Sequence, residues 1–189
     1  CVYISVTMMT LSALQEKPSL LDRFTGIDFL CPIPAGGAEV VVRDASKDAE
    51  SGPPATMVFM HETIAMMRAE RTEQIEKLKG VLAEDGELLP LQKKAESLWE
   101  HITLGRASSA DLVVVDPAVS SVHAHFALDV DEHPVSVQDV GSSNGTFINR
   151  VQLQPHKLAK LRTGDCVRFG QSIFYYVSHP LLRELVAAR

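Results

Sequence analysis

The second half of the sequence predicts a mainly β fold, a sandwich or a barrel. After Gly86 the spacing of apolar residues changes from the 3.6 of a helix to the 2 of a strand. Short stretches rich in β-branched and aromatic residues follow: ITLG, LVVV, HAHFAL, VSVQD, TFI, CVRF and SIFYYV. Gly, Pro, Asn, Asp and Ser stand between them, and frequent turn signals between short strands mark all-β architectures.

Along the chain, the first third is the least regular. It opens CVYISVTMMT, with no initiator Met and no basic leader, so no signal peptide is expected and Met8 or Met9 suits a natural start. The alternative makes Cys1 the lipidated cysteine of a processed lipoprotein. Leu11, Leu14, Leu20, Leu21 and Phe24 suggest a short helical stretch interrupted at Pro18. FLCPIPAGG cannot continue a helix. Residues 40–42 suit a brief strand, and DASKDAESGPPA (44–55) has the composition of a linker.

Residues 60–83 are clearer. Met60, Ile64, Met67, Ile75, Leu78 and Leu82 form one apolar stripe of an amphipathic helix, with a gap filled by Arg71. Glu73 and Lys77 add an i,i+4 pair, and Gly86 and Pro90 place the stop nearby. Such a helix packs on its own domain, docks a partner or pairs in a short coiled coil. ELLPLQKK (87–94) reads as continued helix or as strand. PLLRELVAAR closes the chain as a helix, with Pro180 in its first turn and Leu181, Leu182, Leu185 and Val186 on one face.

At 189 residues the chain holds one domain with an extension, or two small ones. With 46% hydrophobic and 22% charged residues it can build a proper core. Cys1, Cys31 and Cys166 lie far apart without a C-x-x-C pair, which fits neither a disulfide framework nor a zinc site and favours a reducing, cytoplasmic compartment. No run of 18 apolar residues exists, so no membrane span is expected. The net charge of −6 shows no basic face in either half, which argues against binding nucleic acid through its phosphates.

Four pieces of the β region carry the functional signal: LGRASSADLVV (104–114), DPAVSSVHAHF (116–126), DVGSSNGTFIN (139–149) and LRTGDCVRFG (161–170). Their order and spacing resemble the forkhead-associated (FHA) domain, a reader of phosphothreonine peptides. The resemblance covers roughly residues 86–178. It implies an eleven-stranded β-sandwich with its peptide site on loops at one end, and it turns 88–93 into the first strand. Residues 1–85 are then an N-terminal extension, partly helical, and 179–189 a C-terminal helix.

A phosphothreonine carries about −1.5 to −2 charges and three strong acceptor oxygens, which suit the fixed donor fork of Arg better than Lys. The resemblance implies that Arg106, after Gly105 at a strand end, Ser120 and Ser143 hold the phosphate. Asn144 would clamp the peptide backbone, and Gly145 lets the chain turn. His123 matches the histidine that holds the loops in shape. His125 would share its face if the strand were regular, but an H-x-H pair without a third ligand makes a poor metal site. Ser142 reads as a turn residue. Two positions depart from the family pattern. Ser121 stands where Arg or Lys is frequent, and Arg150 follows Asn149 where Gly is frequent, so a type I′ turn would set a non-glycine residue at positive φ and the loop would be built differently. Ser121 and Arg150 are expected as flanking contacts, with Arg150 compensating for the charge missing at 121.

The expectation is a phosphothreonine-dependent binding module, partnered by a phosphothreonine-containing protein and so by a Ser/Thr kinase or its substrate. No cofactor, metal or membrane span is expected. The alternative is an FHA-fold scaffold that does not need phosphate. Catalysis is not expected: Ser120 and His123 lack a G-x-S-x-G elbow and an orienting acid, and no P-loop is present. The acidic cluster Asp129, Asp131 and Glu132 reads as a hairpin tip, without EF-hand spacing.

Overall fold

The computed structural model describes residues 2–4, 9–25, 27–33, 57–84, 86–95, 97, 99–129 and 134–188. The expected strand at 40–42, the linker at 44–55 and the Asp131 and Glu132 part of the acidic cluster lie outside these residues. The order of elements is β1 (Val2–Ile4), β2 (Met9–Thr10), α1 (Leu11–Glu16), α2 (Ser19–Asp22), β3 (Phe29–Pro32), α3 (Met57–Ala83), β4 (Glu87–Pro90), β5 (Ile102–Gly105), β6 (Leu112–Val115), β7 (Ala124–Leu128), β8 (Pro134–Asp139), β9 (Thr146–Ile148), β10 (Val151–Gln152), β11 (Leu158–Lys160), β12 (Cys166–Phe169), β13 (Ser172–Val177) and α4 (His179–Ala187).

The strands form two sheets, one ordered β1-β6-β5-β7-β8-β11 and one ordered β10-β9-β12-β13-β3-β4-β2. They face each other as a sandwich. Alternate residues of both point inward: Ile102, Leu104, Leu112, Val114, Phe126 and Val137 from the first sheet meet Leu30, Leu89, Val167, Phe169, Phe174 and Tyr176 from the second. Burying apolar side chains of this size contributes about 1.5–3 kcal/mol each relative to exposure, so this layer dominates the stability of the fold.

The second sheet is buried on its other face too. Phe29 and Cys31 of β3, Leu88 of β4, and Tyr175 and Val177 of β13 form a second core with Leu14, Leu21, Leu78, Leu82, Leu182 and Val186 from the four helices. The stripe of α3 therefore docks, through Leu78 and Leu82, on the chain's own sheet. Its Arg71 reaches Asp165 in the turn before β12 at 2.8 Å. The Glu73–Lys77 pair forms on its exposed side at 2.7 Å.

Three strands come from the N-terminal part, which the sequence reads as partly helical with no strand at 2–4, 9–10 or 29–32. β3 lies inside the second sheet, with Tyr175 opposite Cys31 on one side and Leu30 opposite Leu89 on the other. Its residues are buried on both faces, so they form a continuous apolar run that shows no alternation. Asp28 just before it accepts hydrogen bonds from the Tyr176 hydroxyl and from the His179 amide (2.7 Å), tying β3 to β13 and to the start of α4. The 88–93 segment forms a strand over Glu87–Pro90. No described helix is long and apolar enough to cross a membrane.

Candidate functional site

At one end of the sandwich the loops 105–111, 116–123 and 140–145 meet. β5 ends at Gly105, and an added Cβ there would stand 2.1 Å from the Ser121 carbonyl oxygen. Only a residue without a side chain lets the two backbones come so close. The next amides continue the contact: Arg106 N donates to Ser120 O at 2.9 Å and Ala107 N to Ser121 O at 3.1 Å. Arg106 itself is exposed, and its Nε donates to Val119 O at 3.2 Å, which aims the guanidinium along the 119–121 loop.

The 140–145 loop is locked on from the other side. Ser143 N donates to Ser120 Oγ at 3.1 Å, and Asn144 Nδ2 donates to Ala118 O at 2.8 Å. Both Ser143 and Asn144 are exposed. Gly145 has φ +75, and a Cβ there would meet Gln152 Nε2 at 2.6 Å.

His123 is fully buried and joins both loops. Ser120 N donates to its Nδ1 at 3.1 Å, and its Nε2 lies 3.2 Å from Gly145 O. An amide can only donate, so Nδ1 is the acceptor and Nε2 carries the proton. Burial lowers its pKa, against the opposing effect of the Gly145 bond and of Asp139 and Asp116. The ring stands edge-on to Phe169. His125 does not share its face. His123 precedes β7, whereas His125 lies on the outer surface, stacked on His101 with centroids 3.8 Å apart. The H-x-H pair is therefore not a chelating pair.

Two aspartates that sequence reasoning missed build these loops. Asp139 is buried and accepts from Gly141 N, Ser142 N, Ser142 Oγ and Thr146 Oγ1, all within 2.8 Å. Burial would raise its pKa, but these bonds outweigh it and hold the carboxyl below its ordinary value. Asp116 accepts from Ala118 N at 2.8 Å and Ser172 Oγ at 2.6 Å. Both precede a turn, where Asp characteristically bonds the amide two residues on; that was the available signal. Ser142 is thus a turn residue bound to Asp139.

Ser121 is exposed beside Arg106. Arg150 lies elsewhere: β9 separates it from Gly145, and it shares with Asn149 the two-residue turn to β10. That turn sets Asn149 at φ 47 and Arg150 at φ 73, so the type I′ conformation is kept with a non-glycine residue at its second position. Asn149 stabilises it by donating to Asp165 at 3.0 Å and accepting from Cys166 N at 2.9 Å.

The site is a loop surface, a shape suited to an extended peptide. A cleft of about 800 Å³, lined by Asp28, Ser136, Lys160, Arg162, Tyr176 and Arg183 among others, opens at the opposite end.

The family model of the FHA domain matches residues 102–170, and this stretch of the chain is an FHA domain. Among characterised relatives, the oxoglutarate dehydrogenase inhibitor of Corynebacterium efficiens is 36% identical over 78 residues, covering 41% of this chain and 51% of that protein. The glycogen accumulation regulator GarA of Mycobacterium tuberculosis is 38% identical over 76 residues, covering 40% of this chain and 44% of that protein. The chain thus spans about half the length of these relatives. Among solved structures, one from a study of phosphothreonine-dependent FHA domain interactions covers 50% of this chain and 88% of its own, with 27% identity and a TM-score of 0.41.

Proposed function

We propose that this FHA domain binds a phosphothreonine-containing protein and acts as a binding module in Ser/Thr-kinase signalling. Arg106, Ser120 and Ser143 hold the phosphate, and Asn144 clamps the peptide backbone. Gly105, His123 and Gly145 support them, and Ser121 flanks them. The observation that carries this reading is the contact of Ser143 N with Ser120 Oγ, on a loop whose backbone also receives Arg106 N. It supports the reading that the Arg106 guanidinium and the Ser120 and Ser143 hydroxyls act together on a phosphate dianion, which takes such donors. Arg150, at the far end of β9, is left out of the phosphate group.

The test is a titration of a degenerate phosphothreonine peptide library, with unphosphorylated controls, against the wild-type protein and Arg106→Ala. The expected result is binding that requires both phosphate and Arg106. Losing one charge-assisted hydrogen bond costs about 1.5–3 kcal/mol, on the order of ten- to hundredfold in affinity. Equal binding of phosphorylated and unphosphorylated peptides would make the domain a scaffold.

A further inference from the structure

The cleft at the other end of the sandwich is separate from the loop surface. β8 begins in it at Pro134 and ends at Asp139, which holds the 140–145 loop. Roughly 16 Å of strand lies between the two ends. The cleft volume of about 800 Å³ is that of a small-molecule site and far more than one inorganic ion fills. Three cations line it: Lys160, Arg162 and Arg183. All three are exposed, and among the described residues none of them forms an ion pair.

Three different elements bring these cations together. Lys160 of β11 stands opposite Ser136 of β8, so both side chains project from one face of the first sheet. Arg162 lies in the turn before β12, where its backbone is fixed. Its amide donates to Asp165 Oδ2 at 2.6 Å, and its carbonyl accepts from Asp165 N at 2.9 Å. Arg183 belongs to α4, whose start is pinned by the His179 amide donating to Asp28 Oδ1 at 2.7 Å. Ser178 and Pro180 at the start of α4 also line the cleft, and Ser178 makes no side-chain cap. The positive end of the helix dipole therefore adds to the cations. Two acids are present as well. Asp28 is buried, and its oxygens are engaged by the Tyr176 hydroxyl and the His179 amide. Asp129 is exposed at the rim. Three cations against two carboxylates leave a positive cleft in a chain of net charge −6.

We propose that this cleft is a second binding site, for a small molecule that carries a phosphate or diphosphate group. Arg162 and Arg183 offer planar donor forks that match phosphate oxygens, and Lys160 adds a point charge. Pro134, Leu161 and Pro180 give the carbon skeleton of the ligand an apolar surface. A singly charged carboxylate gains little here, because Asp129 opposes it. A phosphoryl group concentrates more charge at the same distance and outweighs that opposition. The site does not depend on whether the loops at the other end read phosphothreonine.

The experiment is a calorimetric titration of the full chain with pyrophosphate, ADP and citrate. The proteins are wild type, the double variant Arg162→Gln with Arg183→Gln, Lys160→Gln and Arg106→Ala. Wild type should bind pyrophosphate or ADP more tightly than citrate. The double variant should weaken that binding by about tenfold or more, and Lys160→Gln by less. All three side chains are exposed, so the melting temperature without ligand should stay unchanged. Arg106→Ala should bind pyrophosphate and ADP as wild type does. A loss in Arg106→Ala would place the anion on the loops and overturn the proposal. It falls equally if wild type binds neither pyrophosphate nor ADP, if binding survives both cleft variants, or if citrate binds as tightly. The phosphothreonine reading is judged separately, by the peptide titration against Arg106→Ala.

Discussion

Ser120 bonds three neighbours at once: its carbonyl takes Arg106 N, its amide goes to His123 Nδ1, and its hydroxyl takes Ser143 N. Ser120→Ala removes only the last of these, so its effect on phosphopeptide affinity should be milder than that of Arg106→Ala. The acceptor role of Nδ1 makes the loops sensitive to acid. The pKa of His123 is lowered by burial, so as pH falls below the unfolded value of about 6.5 the unfolded chain takes up the proton first. The contribution of His123 is complete above that pH and is lost on acidification through the folded pKa. Melting temperature should fall from about pH 7 to about pH 5, and His123→Gln should make that slope shallower. A slope unchanged in the variant would remove His123 from the account. Asp139 is the other sensitive residue. Asp139→Ala strands the Thr146 hydroxyl and the Gly141 and Ser142 amides, and should cost about 3 kcal/mol or more in urea unfolding.

Among the elements, α3 contributes to stability and lies away from the proposed site. Leu78 and Leu82 are fully buried on the sheet, and Arg71 anchors the helix to Asp165 in a turn at the far end of β12 from Gly170. Leu78→Ala should cost about 2–5 kcal/mol through lost burial and the cavity it leaves. Its phosphopeptide affinity, measured below the melting range, should match wild type. A selective loss of affinity would mean that α3 acts on the loops. The helix was legible from its apolar spacing because one face is buried and the other wet. β3 was not, because both of its faces are buried and Pro32 interrupts the run.

At the scale of the whole molecule, the segment matched by the FHA family model does not stand apart from the rest. A fragment of residues 86–189 lacks β3, so β13 and β4 lose the strand that bonds to both, and the second core loses Phe29, Cys31, Leu78 and Leu82. Such a fragment should show no cooperative melting, whereas the full chain should melt in one transition. A stable, peptide-binding fragment would show that the matched segment folds by itself.

The sequence by itself determined the β character of residues 102–177, the helix at 60–83 and the C-terminal helix at 179–189, and the four motifs from which the proposed site is read. These follow from periodicity and from motifs whose chemistry is local. Only the tertiary structure decided the rest. It placed three N-terminal strands in the sheets, buried His123 between the loops and stacked His125 on His101, sent Arg150 to the far end of β9, and gave Asp139 and Asp116 the task of shaping the loops. These outcomes depend on which strands become neighbours. Strand pairing is a contact between distant residues, and no local pattern encodes it.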